Sequence, residues 1–312
     1  MRLEDKKILI TGSHGFLGSF VYEEFLSRGI KEENIARPRS FEYDLRFREN
    51  CREVVEDRDI VIHLAANVGG IGYNKKHPGD VFYDNATMNI NMMEEARKAG
   101  VEKYVAIGTV CSYPKEISAP FQEEDIWEGY PEETNAPYGI AKRLQIVQSK
   151  AYRDQHGFNG INLILENLYG PRDNFDPEES HVIPALMRKM HEAKRKNKDN
   201  VVVWGTGKPT REFLYVRDAA EAIVEATEKR EKADPVNIGS GEEVSIKELV
   251  NYLIEVTGFS GDIKYDTTKP DGQPRRKFDV SKAKEEFGFE AKTSLKEGLK
   301  KTYEWYKNNK DD

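Results

Sequence analysis

Four short apolar runs mark the first half of the chain: "KILIT" (Lys7 to Thr11), "IVIHLAA" (Ile60 to Ala66), "YVAIG" (Tyr104 to Gly108) and "INLILEN" (Ile161 to Asn167). They are continuous rather than alternating, the signature of strands buried on both faces. Helix-length amphipathic stretches separate them, at Gly15 to Arg28, Pro78 to Ala99 and Pro137 to His156. Strand alternating with helix predicts an α/β fold with a parallel, doubly wound sheet.

After Asn167 the rhythm breaks. "YGPRDNFDPEESHVIP" is rich in Pro, Asp, Asn and Glu and reads as loop. A helix from Pro184, a strand "VVVWG", a loop "TGKPTREF" and a further strand "VNIGS" follow. "SIKELVNYLIEVTG" opens with a capping box, Ser245 to Glu248, and predicts a helix that stops at Gly258. The remainder reads as mostly helical, interrupted by one proline-rich loop, "KPDGQPRRKF". The pattern predicts a larger nucleotide-binding part, residues 1–168 with about 212–239, and a smaller part interleaved with it, about 169–211 and 240–312. The cleft is expected between them.

Composition narrows the function classes. The 312 residues carry a net charge of −7, which argues against nucleic acid as a partner but leaves room for an anionic small molecule. No apolar run approaches the roughly 20 residues that span a bilayer, and "MRLEDKK" lacks the apolar region of a signal peptide. No membrane partner is expected. With two cysteines, Cys51 and Cys111, there is no disulfide framework, so a reducing, cytoplasmic setting is expected. The densest basic run, "KRKNKDN" from Lys194, reads as a solvated helix end.

The first strand runs into "TGSHGFLG" and then a helix. Gly12, Gly15 and Gly18 suit a tight turn, close approach of backbone to a pyrophosphate, and close packing of helix on sheet. With Ser13, His14, Phe16 and Leu17 they form a candidate dinucleotide loop at a helix N-terminus. The fold class is therefore a Rossmann-like doubly wound parallel sheet with a smaller, interleaved C-terminal α/β part. Where an acidic residue would accept from an adenosine ribose, the chain has "IARPRS". Arg37 and Arg39 suit a ribose 2′-phosphate, which points to NADP; the alternative is a pair of solvent-facing arginines.

"PYGIAK" sets Tyr138 and Lys142 four residues apart on one helix face, with Pro137 in the first turn. A neighbouring ammonium is expected to lower the phenol's pKa, and Thr109 at a strand end is placed to share a substrate oxygen. Together with the glycine triplet, "HLAA" (His63 to Ala66) and "NLYGP" (Asn167 to Pro171), these residues resemble the extended short-chain dehydrogenase/reductases. "NVGGIGYN", "CSYPK", "NLYGPRDNFDPEESHVIPAL", "VVVWGTGKPTREFLYV" and "KPDGQPRRKFDV" are similar to a narrower group within that family. Its members are NADPH-dependent 3,5-epimerase/4-reductases acting on GDP-4-keto-6-deoxy-D-mannose. The resemblance runs from about Lys7 to Lys307.

The resemblance implies a set of roles. Cys111 and His181 would be the acid/base pair of the epimerase step. That role suits their ordinary pKa values of roughly 8.5 and 6.5, because a ketone at carbon 4 acidifies carbons 3 and 5. Tyr138 would protonate the oxygen at carbon 4, with Thr109 bonded to it and Lys142 beside the phenol. The cofactor would be held by the glycine loop, Arg37, Arg39, Ala65, Ala66, Ile107, Gly108, Thr109 and Val110. Tyr138, Lys142, Leu165, Glu166, Asn167, Leu168 and His181 would complete its site. Lys189, Trp204, Arg211 and Asp279 would hold the GDP-linked 4-keto sugar, and a homodimer through the helices at Pro78 to Ala99 and Pro137 to His156 is implied. No metal is called for.

Three positions depart from the group's pattern: Thr109 replaces a usual Ser, Lys189 an Arg, and Glu166 a small neutral residue. They bear on the sugar more than on the reaction type. A GDP-4-keto-heptose substrate, an epimerase with no net redox, and a non-catalytic NADP-binding regulator are the competing readings.

Overall fold

The structure, a computed structural model, describes residues 1–269 and 271–310. Its strands are β1 (Ile8–Thr11), β2 (Ile35–Ala36), β3 (Ile60–His63), β4 (Lys103–Thr109), β5 (Gly160–Leu165) and β6 (Asn167–Tyr169). β7 (Asn200–Trp204), β8 (Thr210–Tyr215), β9 (Pro235–Ile238), β10 (Glu243–Ser245), β11 (Asp262–Asp266) and β12 (Arg275–Arg276) follow. The helices are α1 (Phe16–Ser27), α2 (Arg48–Val55), α3 (Ile71–Lys76), α4 (Pro78–Lys98) and α5 (Ala136–His156). After them come α6 (Val182–Arg195), α7 (Val216–Lys229), α8 (Ile246–Thr257), α9 (Ser281–Phe287) and α10 (Leu295–Lys310).

The main sheet has the order β2-β1-β3-β4-β5-β9, and every pair in it is parallel. Its strands are continuously apolar because each face meets a different helical layer. Ile8 and Ile10 of β1, Ile60 and Ile62 of β3, and Val105 and Ile107 of β4 enter one core with Phe20 and Phe25 of α1 and Ile223 of α7. Leu9, Val61, Tyr104 and Ala106, pointing the other way, pack with Val54 of α2 and Met92 and Met93 of α4. The chain passes from β1 to β2 on one side and returns to β3 on the other, so the strand order reverses beside β1. In such sheets ligands bind at that reversal, outside the carboxyl ends of the strands.

A second core joins Ile183, Met187 and Met190 of α6 to Val201 and Val203 of β7, Leu249 and Leu253 of α8, and Leu299 and Tyr303 of α10. Two expectations fail here. "TREF" is strand rather than loop: β8 pairs antiparallel with β10 and parallel with β12 and β6. Its composition reads as a turn, but the buried Glu212 carboxylate accepts the Phe278 amide at 2.8 Å and the Gly241 amide at 2.7 Å, so tertiary partners stabilise an extended segment. The C-terminal stretch is likewise less helical than expected, because β11 runs parallel to β7. The capping box behaves as predicted: the Ser245 hydroxyl accepts the Glu248 amide at 3.1 Å, and the Glu248 carboxylate accepts the Ser245 amide at 2.8 Å.

Candidate active site

The glycine loop lies between β1 and α1. Gly12 has φ +68°, in the left-handed region, and a Cβ on Gly18 would sit 2.1 Å from the Gly12 carbonyl oxygen. Side chains at these positions would close the approach between helix and loop. No side chain caps α1, so its first-turn amides face the loop, and the enclosed Ser13 hydroxyl has no partner. Both features fit a bound pyrophosphate. The Arg37 guanidinium stacks 3.7 Å from the Tyr22 ring centroid and reaches the His14 ring at 3.3 Å. Arg39 is exposed, 5.9 Å from the Phe41 ring centroid. Arg37 is thus held in place at the end of β2, while Arg39 extends into solvent beside it, an arrangement that fits a 2′-phosphate better than a ribose hydroxyl.

β4 ends at Thr109 and turns through a short 3-10 helix, Val110–Ser112. The Thr109 hydroxyl accepts the Cys111 backbone N–H at 3.2 Å, which leaves its own hydrogen free to donate. The two cysteines differ. Cys51 is fully buried, donates to the Leu45 carbonyl at 3.1 Å, and is pushed up to about 12, chiefly by burial. Cys111 is partly exposed and lies beside Tyr138, whose phenol it influences.

Tyr138 and Lys142 sit on one face of α5, with the ammonium 5.9 Å from the ring centroid. The expected lowering of the phenol does not occur. Burial, and then the Cys111 thiol, push Tyr138 above its ordinary value of 10. Burial instead pulls Lys142, only 2 % exposed, from 10.5 down to about 8. Desolvation of both groups outweighs their mutual attraction.

His63, from "HLAA", was not among the expected site residues, yet it organises this helix. Its Nδ1 meets the Thr11 hydroxyl at 2.8 Å and its Nε2 meets Asn89 Oδ1 at 3.1 Å, while Asn89 donates to the Ala141 carbonyl at 3.0 Å. Because the Asn89 amide is fixed by that donation, Nε2 carries the proton and Nδ1 accepts from Thr11. Complete burial, then the Lys142 ammonium, pull His63 down to about 3, so it stays neutral.

His181 caps α6 with extended backbone and projects from the loop before it. That loop abuts the "NVGG" segment, where the Gly70 amide donates to the Glu179 carbonyl at 2.8 Å. Part of the His181 surface remains open, but the protein atoms crowding its ring lower the imidazolium's pKa. Glu166, between β5 and β6, is buried and accepts from the Asn167 amide at 2.6 Å. Its second oxygen is enclosed without a partner, and burial, with the nearby Glu212, raises its pKa well above the usual 4.5.

On the second core's edge, Trp204 is 64 % exposed, with the Lys189 and Lys269 ammonium groups 5.7 and 5.5 Å from its ring centroid. Arg211 donates to the Thr210 and Gln273 carbonyls, both at 2.7 Å, and burial lowers it to about 10. These groups form a cationic, aromatic surface suited to a nucleoside diphosphate. Asp279 differs from expectation: its carboxylate accepts the Ser281 amide at 2.9 Å and hydroxyl at 2.6 Å at the start of α9. The carboxylate beside Arg211 is Asp271, which binds the Thr206 amide at 2.6 Å and hydroxyl at 2.7 Å. Asp271 and Lys269 both lie in "KPDG", a segment whose residues were legible but not chosen.

Fold and site together define a dinucleotide-dependent enzyme with a Tyr-x-x-x-Lys helix and a partly exposed thiol beside its tyrosine. The sequence profile of the NAD dependent epimerase/dehydratase family matches residues 8–239, and the chain belongs to that family. Among its relatives is a probable GDP-L-fucose synthase 1 of Oryza sativa subsp. japonica, 42% identical over 98% of this chain and 94% of that protein. Two solved structures share the fold. A GDP-L-fucose synthetase from Naegleria fowleri bound to NADP is 29% identical, with TM-score 0.89 over 100% of this chain and 97% of that one. A GDP-mannoheptose C4 reductase from Campylobacter jejuni with NADP bound is 30% identical, with TM-score 0.90 over 98% of this chain and 100% of that one.

Proposed function

We propose that this protein catalyses the NADPH-dependent 3,5-epimerisation and 4-reduction of GDP-4-keto-6-deoxy-D-mannose to GDP-L-fucose. The observation that carries the reading is the partly exposed Cys111 beside Tyr138, two acid/base groups facing one centre in a relative of GDP-L-fucose synthases.

Inversion at carbons 3 and 5 proceeds through an enolate stabilised by the 4-ketone. It needs a base on one face of the sugar and an acid on the other. Cys111 and His181 take these parts, coming from separate walls of the site. When bound, NADPH supplies the hydride for carbon 4. Tyr138 gives its proton to the oxygen there, and the Thr109 hydroxyl donates to the same atom. Lys142, neutralised more easily than an ordinary lysine, follows the phenol's proton and holds the nicotinamide ribose. Because a thiolate at Cys111 raises the phenol's pKa, Tyr138 remains protonated while Cys111 acts as base. The acid for the second reaction is thus kept charged with its proton during the first.

The glycine loop, Arg37 and Arg39 hold the cofactor's phosphates; Lys189, Trp204, Arg211 and, by its place beside Arg211, Asp271 hold the GDP moiety. The two cores support a division into a cofactor-binding part, 1–168 with about 212–239, and a sugar-nucleotide-binding part. Phe82, Tyr83 and Ile90 on α4 and Val147 on α5 are exposed, which supports a homodimer through these helices. Among the described residues no helix is long and apolar enough to cross a membrane. A cytoplasmic enzyme is the setting that two unpaired cysteines support. A GDP-4-keto-heptose is the second reading, favoured by Glu166 and Lys189 and by the likeness to the Campylobacter jejuni reductase.

Cys111→Ser tests the assignment. Serine keeps the size but is far too weak an acid, so epimerisation should fall by about 10²–10⁴-fold and the product should be enriched in incompletely epimerised sugar. Fully epimerised product at near-normal rate would return the thiol to a packing role.

A further inference from the structure

We propose that Arg143 is a positioning residue for the Cys111 thiol, holding it in register with Tyr138 so that both half-reactions act on one bound sugar. The inference rests on the function proposed above and adds a residue to it.

The turn that carries Cys111 lies directly on α5. A Cβ built on Gly139 would stand 2.2 Å from the Cys111 carbonyl oxygen, and the Ser112 hydroxyl donates to the Gly139 carbonyl at 3.1 Å. Gly139 is the residue between Tyr138 and the turn leading to Lys142. Arg143 closes this contact from the far side. Its Nε donates to the Ser112 carbonyl at 2.7 Å and its Nη1 to the Gly129 carbonyl at 2.9 Å. The Gly129 segment is itself tied back to the same run, through a bridge between Pro114 and Pro131 and a Lys115 amide bonded to the Tyr130 carbonyl at 3.0 Å. Among the described residues Arg143 makes no ion pair. A half-buried guanidinium is spent on two backbone carbonyls, an arrangement a surface arginine has no need of.

Beyond Ser112 the chain is anchored separately. The Tyr113 hydroxyl donates to Asn237 Oδ1 at 2.7 Å, and its ring stacks with Phe121, centroids 5.3 Å apart. Arg143 therefore controls a short span, Val110 to Ser112, between the fixed end of β4 and the fixed Tyr113. Without its donors that span slides over α5 and carries the thiol with it. Tyr138 and Lys142 stay where the helix holds them, since Asn89 and Gln145 bind α5 to the rest of the fold independently. Loss of Arg143 should then separate the two half-reactions.

The experiment compares wild type, Arg143→Met and Arg143→Lys. Deuterium incorporation from solvent at carbons 3 and 5 of GDP-4-keto-6-deoxy-D-mannose, without NADPH, reads the epimerase half. NADPH oxidation with the already epimerised 4-keto sugar reads the other half. Misplacing a reacting group by about 1 Å costs roughly 10²-fold, so Arg143→Met should lower exchange by roughly tenfold to a hundredfold and reduction by less than about threefold. Arg143→Lys, reaching one carbonyl, should recover part of the exchange. Parallel losses in both assays, or exchange unchanged in Arg143→Met, would overturn the proposal. Should Arg143→Met fail to fold, Arg143→Gln, uncharged and too short to reach both carbonyls, takes its place with the same expected split. A wild-type enzyme that reduces without exchanging either hydrogen would instead sink the epimerase reading itself.

Discussion

Replacing Lys142 by methionine should make the cofactor-free protein more stable at pH 7 while removing reduction. The ammonium is 2 % exposed, and burial lowers its pKa from 10.5 to about 8. At about 1.36 kcal/mol for each pH unit, keeping it charged in the folded state costs about 3 kcal/mol. Methionine fills much of the same volume and carries no charge, but it forfeits the contact with the Tyr138 ring, worth about 0.5–1 kcal/mol at this distance. The net gain expected at pH 7 is about 2 kcal/mol, a rise in Tm of roughly 3 °C for a chain of this size. The sign changes with pH in a defined way. Between pH 8 and 10.5 the unfolded chain binds the proton that the folded chain has lost, so wild-type stability rises with pH across that window. The variant lacks this dependence, and its advantage should vanish by about pH 10.5. Thermal melts of both proteins without cofactor at pH 7 and pH 10.5 make the comparison, with NADPH oxidation falling about 10²–10⁴-fold alongside. A variant less stable than wild type at pH 7, or equally advantaged at both pH values, would refute the reasoning.

Converting Arg37 and Arg39 together to neutral residues should raise the KM for NADPH and largely spare NADH, because only the former carries the 2′-phosphate; equal losses with both would count against the assignment. His63 has a folded-state pKa of about 3 against roughly 6.5 unfolded, so wild-type stability should fall as pH drops below 6.5, by up to about 4 kcal/mol near pH 3. His63→Gln should be weaker at pH 7, having lost the fit to Thr11 and Asn89, yet lose less stability between pH 6.5 and 4 in urea titrations. An identical acid profile in both proteins would show that His63 is not the group responsible.

The main sheet was legible because its strands obey one physical condition: burial on both faces, which writes a continuous apolar run in β1, β3, β4 and β5. The capping box at Ser245 was equally plain, since both of its bonds are local. β8 was not legible. Its glutamate is held by amides from Gly241 and Phe278, about 30 and 66 residues away, and no local pattern announces that. The same limit applied at the site. Tyr138, Lys142 and Thr109 followed from spacing, but the direction of the phenol's pKa depended on burial that only the packed structure supplies. Asp271 and Asp279 flank β12, and only the packed structure shows that the first lies beside Arg211 while the second bonds the Ser281 amide and hydroxyl. His63 acts through the Thr11 and Asn89 side chains and Arg143 through two backbone carbonyls, roles without a sequence signature.

The most direct test of the account is the product formed from GDP-4-keto-6-deoxy-D-mannose and NADPH, with stereochemistry at carbons 3, 4 and 5 read by NMR and cofactor oxidation followed in the same tube. The account predicts GDP-L-fucose, inverted at carbons 3 and 5 and reduced at carbon 4, with one NADPH consumed per sugar converted. A 4-reduced sugar retaining the original configuration at carbons 3 and 5, or epimerised sugar formed with no NADPH consumed, would contradict it.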